Sequence, residues 1–303
     1  MKQTYHILMS FFMTLFLLLN FSCEVIETPY MIESASNPID TSSFVQKVLI
    51  EDFTGHRCRY CPSAARELSS IQNIYGKDRV IGIAIHPNSD YAKPDAQYTY
   101  DFRTDFGKDI NMFFGDIAGT QGLPNGMINR YGYDSEYVYS YSQWGGIVSS
   151  QLEKDPIFGL NLTSEVTLTG NAIINVEIIP KQNLDEEHNL VICLTEDSIV
   201  SWQTDDDASP NDVENYIHNH VLRTMIGSFS GESLGSTFTT GNIITKDHTI
   251  NLSELEQDNI SYSQSLGSGN AGGWNINNMH VIAYIYKVSS QEILQVEESK
   301  LSN

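Results

Sequence analysis

The sequence predicts an α/β domain over residues 44–155, followed by an all-β sandwich of immunoglobulin or fibronectin type over residues 156–303. The first prediction rests on an apolar run, a pair of cysteines and a helical pattern that follow one another directly. The second rests on a change of pattern after Pro156, where short β-rich runs alternate with turn residues. The length of 303 residues is sufficient for two cores of ordinary size.

Acidic residues dominate the charge of the chain. There are 38 Asp and Glu residues against 17 Lys and Arg, and the formal net charge is −21. A surface of this charge repels nucleic acid and anionic membrane surfaces, so no nucleic-acid partner is expected. The four cysteines are too few for a disulfide scaffold, so each needs its own interpretation.

The N-terminal segment is predicted to be a targeting signal. Lys2 precedes a nearly unbroken apolar run over residues 7–19, which is short for a membrane span. The run is soon followed by a small residue and Cys23, an ending that resembles a bacterial lipoprotein signal, in which the cysteine is lipidated. Residues 1–22 are therefore expected to be removed, Cys23 to be the lipidation site and residues 23–43 to form a tether. Ordinary secretion is the alternative, and either route implies a compartment where cysteines can be oxidised.

A strand, a cysteine pair and a helix are predicted in direct succession. The apolar run over residues 48–53 leads into Cys58 and Cys61, which have C-x-x-C spacing. Apolar residues then recur at three- and four-residue steps until Gly76, a pattern that indicates a helix. The first cysteine is expected at the helix N-terminus, where unpaired N–H groups and the helix dipole favour a thiolate. Cys58 is therefore the candidate nucleophile, with Cys61 one turn further on.

Further segments complete the first domain. Residues 79–86 form a buried strand, so that the order is β–α–β with a parallel pair. Residues 88–115 keep a rough helical spacing and are interpreted as one or two helices. A Gly-Leu-Pro turn ending at Pro124 precedes a short strand, and a closing helix ends before Pro156. His86 is interpreted as a surface histidine, and a position near the cysteines is the alternative.

This order of elements resembles the thioredoxin fold, in which a cis-proline faces the C-x-x-C pair. By position, the resemblance implies an attacking cysteine, a resolving cysteine, a cis-proline and a residue that pairs with the substrate backbone: Cys58, Cys61, Pro124 and Leu123. Arg59 and Tyr60, between the two cysteines, are further candidates for substrate binding. The middle dipeptide is thus Arg-Tyr, which is not the dipeptide of ordinary thioredoxins.

The sequence also departs from ordinary thioredoxins beside the first cysteine. Arg57 replaces the familiar aromatic residue, and the buried acidic residue of that fold has only Glu51 and Asp52 as candidates. Positive charge on His56, Arg57 and Arg59 is expected to stabilise the thiolate of the first cysteine. A stabilised thiolate makes the disulfide easier to reduce and therefore more oxidising.

A longer string is more specific than the fold-level pattern. The letters E-D-F-T-G-x-x-C-x-x-C-P, followed by a predicted β-sandwich, are similar to the outer-membrane-protein-twenty-eight-related lipoprotein family of Gram-negative bacteria. The resemblance implies an outer-membrane lipoprotein that faces the periplasm or the cell surface and carries a thioredoxin-like domain. The implied partners are protein thiols or disulfides, or other envelope proteins, and no cofactor is implied.

The second domain is predicted from seven or eight short strands without helices. Cys193, alone in an apolar run, is interpreted as a buried small hydrophobic residue. The predicted strands are Phe158–Thr163, Ala172–Ile179, Leu190–Thr195, Tyr216–Met225, Ser236–Thr240, His248–Leu252, His280–Val288 and Glu292–Glu298.

Three features of this domain allow a binding role as well as a plainer one. The acidic residues 205–207 are interpreted as a solvated loop, with calcium binding as the alternative. His218 and His220 are interpreted as a hydrogen-bonded pair on one strand face, with metal binding as the alternative. Residues 267–273 form a Gly/Ser/Asn loop that could contact a partner. No metal site is predicted.

Two hypotheses from different functional classes follow. In the first, the protein is an envelope-anchored thiol–disulfide oxidoreductase that acts through Cys58 and Cys61. In the second, it is a surface binding protein or adhesin in which the same pair is a structural disulfide. A structural zinc site at the pair would need two more ligands, and the sequence offers no second C-x-x-C to supply them.

Overall fold

The computed structural model describes residues 44–301. The predicted signal segment, the lipidation site Cys23 and the tether lie outside these residues. No helix within the described range is long and apolar enough to cross a membrane.

The predicted β–α–β unit is confirmed. Strands β1 (Val48–Phe53) and β2 (Val80–Ile85) are parallel and buried, and helix α1 (Cys61–Tyr75) connects them. The β-branched residues of both strands favour extended backbone. Pro62 is tolerated in the first turn of α1, and Gly76 ends the helix with a φ of 99°.

Strand β3 (Asn125–Ile128) pairs antiparallel with β1, on the side away from β2. The Leu123–Pro124 peptide bond that precedes it is cis. The side chain of Trp144 is completely buried in a cluster with Val48 and Leu68, which brings the closing helix and α1 together over β1. The helices of this part besides α1 are α2 (Asp105–Phe113), α3 (Ile117–Thr120) and α4 (Tyr141–Leu152).

The rest of the chain is mostly strand, with three departures from the prediction, of which the first is a strand over Ile199–Thr204 that was not predicted. Helix α5 (Leu252–Ser265) was not expected; its N-cap Asn251 accepts hydrogen bonds from the backbone of Ser253 and Glu254. The predicted strand over residues 216–225 was wrong as one element, because residues 219 and 220 turn the chain. The strands are β4 (Phe158–Val166), β5 (Asn171–Pro180), β6 (Leu184–Glu196), β7 (Ile199–Thr204), β8 (Asp212–His218), β9 (Val221–Met225), β10 (Glu232–Phe238), β11 (Ile244–Asn251), β12 (Met279–Lys287) and β13 (Ile293–Lys300).

One large sheet contains strands from both predicted domains. Its order is β13-β12-β6-β9-β2-β1-β3, with β10 paired to β6. The connection is the parallel pairing of β2 with β9, where Ala84 lies opposite Val221. The large sheet therefore joins strands from both sides of the boundary predicted between residues 155 and 156.

The three-stranded sheet β11-β5-β4 shares a core with the large sheet. Ile174 and Val176 of β5 are completely buried with Leu194 of β6 and Val281 of β12. Cys193 is also completely buried, as predicted for a small hydrophobic residue. The fold is therefore mixed α/β and largely β-sheet. Strands β7 and β8 form a separate two-stranded hairpin, and this hairpin shapes the site described next.

Candidate functional site

The two cysteines of the C-x-x-C motif form a disulfide bond at the start of α1. Their Cα atoms are 5.4 Å apart. Cys61 is the first helical residue, whereas Cys58 lies in the turn before it, and the Cys61 N–H donates to the Cys58 carbonyl. Gly55 is required in this loop, because a Cβ there would lie 2.6 Å from the backbone oxygen of Tyr91. Cys58 is 3% exposed and Cys61 is 2% exposed, so the disulfide is shielded from solvent.

The β7–β8 hairpin hydrogen-bonds to the backbone of the cysteine loop. The N–H of Thr204 donates to the His56 carbonyl, and the N–H of Asp206 donates to the Arg59 carbonyl, both at 2.9 Å. The buried side-chain amide of Gln203 donates to the carbonyl oxygens of Cys58 (3.1 Å) and Gly55 (3.3 Å). These hydrogen bonds therefore hold the hairpin against the loop that carries the disulfide.

The acidic tip of the hairpin is paired with arginines of the cysteine loop and α1. Arg59 donates from Nε to Asp206 Oδ1 at 2.9 Å, and Arg66 donates from Nη1 to Asp205 Oδ2 at 2.8 Å. Arg66 also pairs with Asp207. The interpretation of residues 205–207 as a solvated loop was therefore incomplete, because these carboxylates neutralise two arginines. Within residues 44–301, no three His, Cys, Asp or Glu side chains are grouped to hold a metal ion.

The positive charge predicted around Cys58 is largely compensated. His56 is completely buried, and burial lowers its pKa to about 4, so the ring is neutral at pH 7. Arg57 lies 3.4 Å from Asp95, and Arg59 is paired with Asp206. Tyr60, the other candidate substrate-binding residue of the loop, is half exposed and lies beside the Arg59 guanidinium.

Leu123 and Pro124 lie at the end of β1 from which the cysteine loop departs. Asn125, the first residue of β3, pairs with Phe53, the last residue of β1. The cis peptide bond is thus followed directly by a strand that borders the loop. Leu123 is half-buried and packs against the core. Whether these two residues bind substrate remains a prediction.

A cavity of about 380 Å³ borders Cys61 on the side of α1 that faces β2, β8 and β9. Asp52, His86 and His218 line it, and all three side chains are more than nine-tenths buried. Burial raises the pKa of Asp52 to about 8 and lowers the pKa of His218 to about 3. The pKa of His86 is also lowered, mainly by burial. The interpretation of His86 as a surface histidine was wrong; the alternative position near the cysteines is the observed one.

The predicted pairing of His218 and His220 on one strand face was also wrong. His218 ends β8, whereas His220 has a φ of 59° in the turn and lies 3.5 Å from Asp197. Both histidines nevertheless line the cavity.

Two residues of the site, Asp52 and Gln203, could not be identified from the sequence patterns. Asp52 could not be separated from Glu51, because all six residues of β1 are buried and the alternation of faces is lost. Glu51 instead pairs with Arg130, which leaves Asp52 to face the cavity. Gln203 reaches the cysteine loop from 145 residues away, and no local pattern signals such a contact.

Comparison with known proteins shows the family and a related fold. A sequence model described as "Outer membrane protein Omp28" matches residues 111–303, which is well over half of the chain. HBP35 of Porphyromonas gingivalis has a similar structure, with 15% identity, a TM-score of 0.62, and coverage of 86% of this chain and 76% of that chain. At this identity the likeness concerns the fold alone.

A second solved structure matches more weakly. It is a domain of the outer membrane lipoprotein Omp28 from Porphyromonas gingivalis, with 15% identity, a TM-score of 0.29, and coverage of 48% of this chain and 89% of that chain. No curated protein matches the sequence. Since the family match spans most of the described residues, the protein belongs to the outer membrane protein Omp28 family, and the predicted outer-membrane localisation is confirmed at that level.

Proposed function

We propose that this protein is an outer-membrane lipoprotein that exchanges disulfides with thiols of envelope proteins through Cys58 and Cys61. The observation that carries the proposal is a disulfide at the start of α1 that borders the same cavity as a buried carboxyl, Asp52. The β1–α1–β2 unit and the cis-proline before antiparallel β3 support a thioredoxin-like assignment of this part. Pro124 and Leu123 would then border the bound substrate.

The exchange needs no other reactant than the substrate dithiol. A substrate thiolate attacks Cys58 Sγ, a mixed disulfide forms, and the Cys58–Cys61 bond breaks with Cys61 as the leaving thiolate. Asp52 has a raised pKa and carries a proton at pH 7, so it can protonate that thiolate. A second substrate thiolate then displaces Cys58. The substrate is oxidised and the protein is reduced by two electrons; the reverse sequence reduces a substrate.

The test is a trapping experiment combined with a potential. Cys61→Ala cannot resolve a mixed disulfide, so we expect its Cys58 thiolate to attack disulfide-containing peptides and to accumulate covalent adducts, detected by mass shift. Cys58→Ala/Cys61→Ala is the matched control and should form none. Equilibration of the wild type in glutathione buffers should give a potential of about −120 to −270 mV. Absence of adducts together with a potential below about −300 mV, where structural disulfides lie, contradicts the proposal.

A second candidate function is a binding protein with a structural disulfide. The burial of both cysteines under the β7–β8 hairpin favours it, because a permanent structural disulfide does not need to be accessible to other proteins. The same measurement of the reduction potential separates the two functions, since a structural disulfide resists reduction.

The lipid anchor is part of the proposal and has its own test. We expect Cys23→Ser to abolish incorporation of radiolabelled fatty acid and to move the protein from the membrane to the soluble fraction, because lipidation supplies the anchor. Ser22→Ala, which leaves the cysteine in place, is the control. Label incorporated into the Cys23→Ser protein at the wild-type level would contradict an anchor at this residue.

A further inference from the structure

The cavity beside Cys61 is lined by several buried polar side chains. Three atoms at its walls have no hydrogen-bond partner among the described residues: Asp52 Oδ1, His86 Nδ1 and His218 Nε2. An unpaired buried polar atom costs about 1–3 kcal/mol, so three of them around one space point to a common polar occupant. A volume of about 380 Å³ holds several water molecules, each of which needs roughly 30 Å³.

The cavity also extends from the disulfide to the surface. Its inner wall includes Cys61 and Asp52, and its outer wall includes the exposed residues Ser69, Lys77 and Asn219. The cavity therefore opens from Cys61 towards bulk solvent, between α1 and the turn that joins β8 to β9.

The two histidines are held in place by rigid contacts. Their ring centroids are 6.4 Å apart, and both rings pack against Phe102, at 4.8 Å for His86 and 4.5 Å for His218. Asp52 of β1 lies opposite Ala84 of β2. Ala84 is two residues before His86 in the chain. The three side chains thus come from neighbouring elements of the fold, namely β1, the end of β2 and β8.

Burial leaves both histidines neutral, because it lowers the pKa of each ring. The positive charge of Arg223 also disfavours protonation of His86. Tyr216 of β8 packs against His218 and also lines the cavity. The remaining charged or titratable groups of the lining lie on α1, on the loop that follows it and in the loops before β7 and β9: Arg66, Lys77, Asp197 and His220. A neutral imidazole nitrogen without a proton accepts a hydrogen bond from water and orients it.

We propose that His86 and His218 are positioning residues that orient a proton path through this cavity, along which Asp52 delivers its proton to the Cys61 thiolate and is then reprotonated from solvent. The inference rests on the proposed function. One proton leaves the Asp52 carboxyl for Cys61 Sγ in each reduction of the disulfide, and one proton returns from water to the carboxylate. The histidines hold the path and are neither oxidised nor reduced.

The experiment replaces each ring by one that lacks nitrogen. His86→Phe and His218→Phe keep an aromatic ring on Phe102 but remove the acceptors. His188→Phe is the matched control, because His188 is equally buried but packs with Phe158 and Phe238 away from the cavity. The oxidised full-length protein is mixed with a reduced dithiol peptide from pH 5.5 to 9, and the reaction is followed by acid quench and alkylation mass shift. His218→Asn is the second variant if the phenylalanine does not fold.

The expected results concern both a rate and a pKa. After correction for the thiolate fraction of the peptide, the wild-type rate should be highest where Asp52 carries its proton and fall as the pH rises through about 8. His86→Phe and His218→Phe should lose about tenfold at pH 7, part of the roughly 10²–10⁴-fold that general acid catalysis contributes. A further variant, His218→Gly, leaves space for a ring, and added imidazole should partly restore its rate. The pKa of Asp52, read from its carboxyl carbon by NMR in the oxidised protein, should rise further in both phenylalanine variants and stay unchanged in His188→Phe.

The outcomes separate the inference from the function on which it rests. An active wild type whose rate, pH profile and Asp52 pKa are unaffected by both substitutions overturns the inference. An inactive wild type whose Asp52 pKa still responds to His86 and His218 overturns the proposed exchange function, while the assignment of the two histidines to the Asp52 cavity stands.

Discussion

Release of the β7–β8 hairpin is expected to raise the rate at which dithiothreitol reduces the Cys58–Cys61 disulfide by about a hundredfold. The variant that tests this is Gln203→Ala/Arg66→Ala. Gln203 donates to the carbonyls of Gly55 and Cys58 in a buried setting, and loss of such a donor costs about 1–3 kcal/mol. The Arg66 pairs with Asp205 and Asp207 are partly exposed and add at most about 1 kcal/mol.

The rate follows from the population of the open hairpin. If the hairpin opens and closes faster than the reductant reacts, the reduction rate is proportional to the open fraction. A shift of about 2.7 kcal/mol in the opening equilibrium changes that fraction about a hundredfold. High salt should also accelerate reduction of the wild type, because salt screens the arginine pairs at the hairpin tip.

The control variant is Gln257→Ala, which removes an exposed side chain on α5 whose hydrogen bond, among the described residues, is with Ser261. Urea unfolding of each variant shows whether the whole fold has been loosened instead of the hairpin alone. A wild-type reduction rate in Gln203→Ala/Arg66→Ala, with the fold intact, would mean that the reductant reaches the disulfide without hairpin movement. A faster rate would instead identify the hairpin as the barrier that keeps an otherwise reducible pair closed.

The parts of the fold that the sequence predicts well are those that depend on near neighbours along the chain. The β1–α1–β2 unit follows from a β-branched run, a C-x-x-C-P string and a helical period that stops at Gly76. Pro124 was identifiable because a Gly-x-Pro turn directly precedes a strand. In each case the pattern and the structure that it predicts lie within the same short stretch of chain.

The site depends on contacts that no short stretch contains. The hairpin meets the cysteine loop through Gln203 and Asp206, about 145 residues downstream. The pairing of β9 with β2 brings His218 and His220 to the cavity, although both had been placed in a separate sandwich. Similarly, the charge of His56 depends on its burial, which its sequence neighbours do not reveal.

Replacement of Arg130 by methionine is expected to lower the free energy of unfolding by about 3–5 kcal/mol. Arg130 follows β3 and donates to both carboxylate oxygens of Glu51 on β1, at 2.8 and 2.7 Å. It also donates to the Tyr284 hydroxyl on β12 at 2.9 Å and lies over the Phe114 ring. The Arg130 and Glu51 side chains are 3% and 1% exposed, so removal of the arginine leaves a buried carboxylate without its partner.

Urea denaturation measures the loss, and a double variant tests its cause. Glu51→Met/Arg130→Met removes both charges, so it should be more stable than Arg130→Met alone. Lys154→Met breaks the exposed pair with Glu292 and should cost less than about 1 kcal/mol. If Arg130→Met were no more destabilising than Lys154→Met, the buried pair would not hold the structure. Arg130 bonds to Glu51 on β1 and to Tyr284 on β12, so it connects the two predicted domains. We therefore expect both halves of Arg130→Met to unfold in one shifted transition, and two separate transitions would show that the shared sheet does not couple them.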